Sequence, residues 1–180
     1  MKSLESVQNV FKVFMILSKI ALIFCVAMLI FSLAALIWAA VGAGNGTVLG
    51  IETAAFLSMM EVADINQLYG CLLVDLGFVI VDIVLLWLSY RYFKSEQADG
   101  TPFTQGGADR LKTLGILVIV LPILAAIFGT VIYGGFDIEL AEDWSNEGTL
   151  VLGIVMLISS AIFRYGAELE EKAQLKAETE

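Results

Sequence analysis

Four apolar runs decide what this chain can become. They cover residues 11–41, 70–90, 114–134 and 149–165. Each reaches or exceeds the roughly 17–25 residues that a helix needs to cross the hydrocarbon core of a bilayer. In lipid the backbone must satisfy its own hydrogen bonds, and an apolar run of this length does so as a helix. The expected fold is therefore all-α, an integral membrane bundle of four transmembrane helices. Composition agrees: 59% of the 180 residues are hydrophobic and 16% charged, with a mean hydropathy of +0.87. Soluble domains lie nearer half apolar and a quarter charged. Length and pattern fit one transmembrane domain over residues 1–180. The first run is too long for the apolar region of a signal peptide, so it is expected to stay as the first helix.

The polar stretches between the runs set the topology. Lys2, Lys12 and Lys19 precede or open the first run. Arg91, Lys94, Arg110 and Lys112 lie in the connection 91–113, and Arg164, Lys172 and Lys176 follow the fourth run. These are all ten basic residues. Connections 42–69 and 135–148 contain none, but hold eight acids. The positive-inside rule puts both termini, the 91–113 loop and the 166–180 tail in the cytoplasm, with 42–69 and 135–148 outside. The distribution of charge thus matters more than the net charge of −9, which is no sign of repulsion from membranes.

Within 42–69, four glycines in nine residues favour an irregular start. From Ile51 to Leu68 apolar residues return at helical spacing, including Ala55, Phe56, Met59 and Met60. Two readings stand: an amphipathic helix on the outer membrane face, or a folded loop packing those side chains without membrane contact. Pro122 lies inside the third run, where proline removes a backbone hydrogen bond and usually kinks the helix. Small residues four apart, Ala35 with Ala39 and Ala125 with Gly129, permit close helix contact. The tail is rich in helix formers, and Glu168 and Lys172 stand four apart in the favourable order.

Asp75 and Asp82 are the candidates for chemistry. An ionisable residue inside a span is costly and marks function by default. Seven residues apart, they share one helix face about 10.5 Å apart along the axis. One reading is a proton- or cation-coupled site, with Lys19 snorkelling toward Asp82. The other is interhelical glue, each carboxyl hydrogen-bonded to fix packing. At the inner surface Arg91, Arg110, Lys112 and Arg164 are candidates to latch helix ends or hold lipid phosphates.

Catalytic and cofactor signatures are missing. There is no histidine, and Cys25 and Cys71 are isolated within apolar runs, without metal spacing. No phosphate-binding loop or nucleophile elbow occurs, and the acidic residues 137–147 lack the glycine-punctuated pattern of a calcium loop. The expectation is a non-enzyme with no cofactor, metal or nucleic-acid partner. It would act through membrane lipids, a second copy of itself or another membrane protein, in a regulatory or accessory role. A small proton- or cation-coupled transporter or channel subunit using Asp75 and Asp82 is the alternative.

One further pattern is verbal. Gly100-Thr101-Pro102-Phe103-Thr104, then Arg110-Leu111-Lys112-Thr113-Leu114-Gly115, and the closing Ile162-Phe163-Arg164-Tyr165-Gly166-Ala167-Glu168-Leu169-Glu170-Glu171 resemble a bacterial membrane family labelled domain of unknown function 2975. The four-span layout covers the whole chain. The resemblance implies a multi-pass protein of the bacterial plasma membrane and supplies no activity. This chain departs from the family at Gln105-Gly106-Gly107, where an acidic residue and Asn often stand. That makes a helix starting directly after Thr104 less expected. Thr104 is nonetheless placed to cap a helix running through Asp109 and Arg110, and this segment is expected to touch Arg164-Tyr165.

Overall fold

A computed structural model describes residues 2–42, 47–48, 51–52, 55, 57–58, 64–99, 104–136, 138 and 147–179. Its long elements are four helices: α1 (Lys2–Gly42), α2 (Ile65–Asp99), α3 (Gln105–Gly135) and α4 (Glu147–Thr179). Each is long and apolar enough to cross a membrane. Many of their large apolar side chains face outward, such as Phe24 and Phe31 at 66% exposed and Val131 at 68%. In water such surface would be untenable; for a multi-pass membrane protein it is the lipid-facing surface.

The helices outrun the apolar runs. Residues 91–99 continue α2 and 105–113 begin α3, so the polar connection expected over 91–113 is mostly helix. α4 likewise carries on through 166–179, and residues 169–173 and 175–177 are exposed. The expected tail helix is thus present, although its seen ion pair is Arg164 with Glu168 at 3.7 Å, one turn earlier than Glu168 with Lys172. Between α1 and α2 the amphipathic-helix reading needs correction at its start. Ile51–Glu52 (β2) pairs antiparallel with Thr47–Val48 (β1), Thr47 opposite Glu52. Phe56, Met59 and Met60 lie outside the described residues.

Packing follows residue size more than hydrophobicity, because these helices are apolar on nearly every side. In α1 one stripe, Gln8, Phe11, Met15, Ser18, Leu22, Cys25, Leu29, Ser32, Leu36 and Ala39, is buried or half-buried throughout, with Ala21, Ala35 and Trp38 half-buried beside it. The steps along the stripe alternate three and four without a break. In α3 every member of Ala108, Leu111, Gly115, Val118, Pro122, Ala125 and Gly129 is buried. In α4 the same steps join Thr149, Gly153, Met156, Ser160, Phe163 and Ala167. A 3.5-residue repeat is the signature of left-handed seams crossing at about 20°. Small residues recur every seventh position, as Ser18, Cys25, Ser32 and Ala39 in α1 and Gly153, Ser160 and Ala167 in α4. They let helix backbones approach. Pro122 sits on the buried stripe of α3, which runs on through it.

The contacts sort into two compact units. The first comprises Met1–Ile23, Val84–Leu121 and Asn146–Glu180. Its core is Tyr92, Leu111, Leu114 and Val118, with Leu85, Leu88, Phe93, Met156 and Phe163 against it. Phe14 stacks on Phe93 with ring centroids 5.4 Å apart. α3 and α4 meet backbone to backbone here: a Cβ on Gly153 would lie 3.0 Å from the Gly115 carbonyl oxygen, and one on Gly115 would lie 3.1 Å from that of Gly153. The second unit comprises Phe24–Ile83 and Pro122–Ser145. Ala39, Leu68 and Leu72 form its core, with Leu36, Trp38 and Leu57 packed on it. At the end of α3 the Tyr133 carbonyl accepts from the backbone of Phe136 and Ile138, and the side chains of both fold against Gly70.

Candidate functional site

In the first unit, the residues that looked like a polar linker build a closed polar knot between α2 and α3. Glu96 lies at its centre and is 0% exposed. A carboxylate so far from water needs a cation and hydrogen bonds. Arg110 Nη2 approaches its Oε1 at 3.4 Å. The Arg110 side chain remains 42% exposed, so the guanidinium keeps contact with solvent while neutralising the buried group.

The start of α3 is shaped around that carboxylate. Thr104 is the N-cap: its Oγ1 accepts the Gly107 amide at 2.9 Å, satisfying one of the amides left open in a first helical turn. Its carbonyl accepts the Ala108 amide at 3.0 Å. A Cβ on Gly107 would stand 2.7 Å from both Glu96 oxygens and 2.8 Å from Thr104 Oγ1. Only glycine lets the carboxylate come so close to a helix N-terminus, where the helix dipole favours negative charge. The glycine pair that weakened the case for an immediate helix is therefore part of its construction, and α3 starts at Gln105. Thr101, Pro102 and Phe103 of the resembling motif lie outside the described residues.

α3 also fastens to α4. Gln105 Nε2 donates to Glu171 Oε2 at 3.2 Å. Ala108, Asp109 and Lys112 face Leu157, Ser160, Ala161 and Arg164 across a groove of about 240 Å³. The two stretches that carry the family resemblance thus meet. The four basic residues expected to latch helix ends or hold phosphates divide by task. Arg110 is engaged with Glu96. Arg91 lies over the Trp87 ring, 4.9 Å from its centroid, a cation–π contact. Lys112 and Arg164 share the groove.

The second unit places Asp75 and Asp82. Ser32 Oγ of α1 donates to Asp75 Oδ2. An equal step on both helices puts Cys25, seven residues before Ser32, level with Asp82, seven residues after Asp75. Ala39, a further seven along α1, packs with Leu68, seven before Asp75. Stepping forward by sevens on α1 is therefore stepping back by sevens on α2, an antiparallel seam with polar layers. Asp82 is exposed on its helix, and among the described residues it makes no hydrogen bond or ion pair. Lys19 is exposed on α1 within the first unit.

Reading 91–113 as a loop hid Glu96. Its place four residues after Tyr92 and three after Phe93, on a helix face that both share, was the available signal. The size repeat of α1 was the signal for Ser32 and Cys25. Among the described residues no group of three His, Cys, Asp or Glu side chains is arranged to hold a metal ion. No protein-family model matches the chain, and no curated protein or solved structure matches it either. The functional reading rests on the geometry.

Proposed function

We propose that this chain is a bacterial plasma-membrane protein, with both termini and the α2–α3 junction cytoplasmic, that acts through contacts with lipids or partner proteins and catalyses no reaction. The observation that carries the reading is what the polar side chains do. They join helix to helix in pairs: Ser32 to Asp75, Arg110 to Glu96 and Gln105 to Glu171. Used this way they stabilise a fixed arrangement, with a charged helical end left to meet other molecules. The division of basic and acidic residues between connections supports the orientation. The resemblance of residues 100–115 and 162–171 to domain of unknown function 2975 supports the bacterial assignment.

A second reading has its own observation. Asp82 stands exposed on α2 in an apolar stretch, and a carboxyl in such a place is costly unless it works. A proton- or cation-coupled transporter subunit would use it with Asp75. Flux through purified protein in liposomes separates the two. Under an imposed proton gradient, the contact reading expects wild type and Asp82→Asn to leak no faster than protein-free vesicles. Wild-type flux above that background, abolished by Asp82→Asn, overturns it in favour of transport.

A further inference from the structure

We infer that the groove between α3 and α4 is a seat for the phosphate of an anionic phospholipid, held by Lys112 and Arg164. The inference rests on the proposed role in membrane contacts and names one partner.

Three observations lead to it. The first is level. In α3 the polar sequence ends at Lys112-Thr113 and the apolar run begins at Leu114; in α4 the apolar run ends at Phe163 and Arg164 follows. The two cations therefore stand where both helices pass from apolar to polar, the depth of lipid phosphates beside a bilayer. The second is shape. Ala108, Ser160 and Ala161 make a floor of small residues, and Leu157 lines the groove on the apolar side. A headgroup can enter, with an acyl chain running down past Leu157 along the exposed apolar face of α4, where Ile158 is 56% exposed.

The third is charge and donor capacity. Ser160 already donates to the Leu157 carbonyl at 2.8 Å, so donors to a phosphate come from the two cations. Lys112 is exposed and makes no ion pair among the described residues. Arg164 touches Glu168 at 3.7 Å, with both side chains well exposed. A pair that long and that wet contributes little, and a guanidinium has five donors in a fork that matches phosphate. Asp109 also lines the groove. Its carboxylate works against an anion, so Lys112 and Arg164 must act together and neither is expected to suffice alone.

The test uses the full chain purified in a neutral detergent. Melting temperature is followed while phosphatidylglycerol, phosphatidylcholine or inorganic phosphate is added at matched concentration, and retained lipid is counted by native mass spectrometry. Wild type should melt higher with phosphatidylglycerol than with phosphatidylcholine and should retain phosphatidylglycerol as an adduct. Lys112→Gln with Arg164→Gln should cut the adduct at least about tenfold, the equivalent of losing about 1.4 kcal/mol of binding. Lys112→Arg with Arg164→Lys should keep most of it, and Lys172→Gln, on the exposed tail of α4 outside the groove, should behave as wild type. If the doubly neutralised protein does not fold, each single Gln variant is read by adduct count, and each should lower it. Equal responses to the two lipids, an adduct that survives neutralisation, or a shift reproduced by inorganic phosphate alone overturns the proposal. The flux measurement above is independent, so a failure here is distinguishable from a failure of the contact reading.

Discussion

Replacing Gly107 by alanine puts the polar knot to its sharpest test, because helix propensity and packing predict opposite signs. On propensity alone, alanine is better than glycine inside a helix by roughly 0.5–1 kcal/mol. Packing opposes it. The new Cβ would stand 2.7 Å from both Glu96 oxygens and 2.8 Å from Thr104 Oγ1, well inside van der Waals contact. Glu96 has a flexible side chain, yet at 0% exposure it has no open space to swing into without leaving Arg110. Overpacking of this kind costs about 1–3 kcal/mol, and disturbing the Thr104 cap adds up to about 1 kcal/mol. The expected net loss is about 1–2 kcal/mol. Unfolding in mixed micelles titrated with sodium dodecyl sulfate, followed by far-ultraviolet circular dichroism, reads it. Glu96→Ala supplies the control: it vacates the space over Gly107 and leaves Arg110 free to reach water. In that background Gly107→Ala should be neutral or stabilising, a coupling of at least about 1 kcal/mol. A Gly107→Ala protein as stable as wild type, or one that loses the same amount in both backgrounds, refutes the reasoning.

Two further outcomes follow from the helix seams. Gly153→Ala drives a Cβ into Ile119 Cγ1 and places it 3.0 Å from the Gly115 carbonyl oxygen, so it should lose about 1–3 kcal/mol in the same unfolding titration. Adding Ile119→Ala should recover only part of this, since the carbonyl cannot move aside. Ser32→Ala removes the donor to Asp75 and should cost about 0.6 kcal/mol, the average for a hydrogen bond between membrane helices; Ser32→Thr, which keeps the hydroxyl, should cost less in a thermal melt.

The sequence by itself determined the helices. Four runs rich in Leu, Ile, Val and Phe leave the backbone only one way to satisfy its hydrogen bonds in lipid, and all four lie inside the helices found. The ends were less legible. Arg91 to Thr113 is polar, and polarity reads as a loop, but 91–99 and 105–113 are helical because Phe93 packs on Phe14 and Glu96 on Gly107. Cap chemistry at Thr104 was readable from one residue; the use of Gly107 was not, because glycine looks the same in a sequence whether it frees a chain or makes room for a neighbour. The heptad of small residues in α1 was present in plain letters, yet a hydropathy pattern hides it, since every face of that helix is apolar and only size varies.

Only the tertiary structure decided partnership. The spacing of Asp75 and Asp82 put them on one face but could not choose what faced them. The antiparallel seam with α1 did that, giving Asp75 the Ser32 hydroxyl and bringing Cys25 level with Asp82. Arg110, Lys112, Arg91 and Arg164 were equivalent as charges in a chain. Packing made one the counter-ion of a buried carboxylate and laid one over Trp87, and it set the other two across a groove at the edge of the apolar zone. The reason is physical. Burial in lipid depends on the composition of one segment. An ion pair or a close glycine contact depends on two segments, and their register is fixed only when the helices pack.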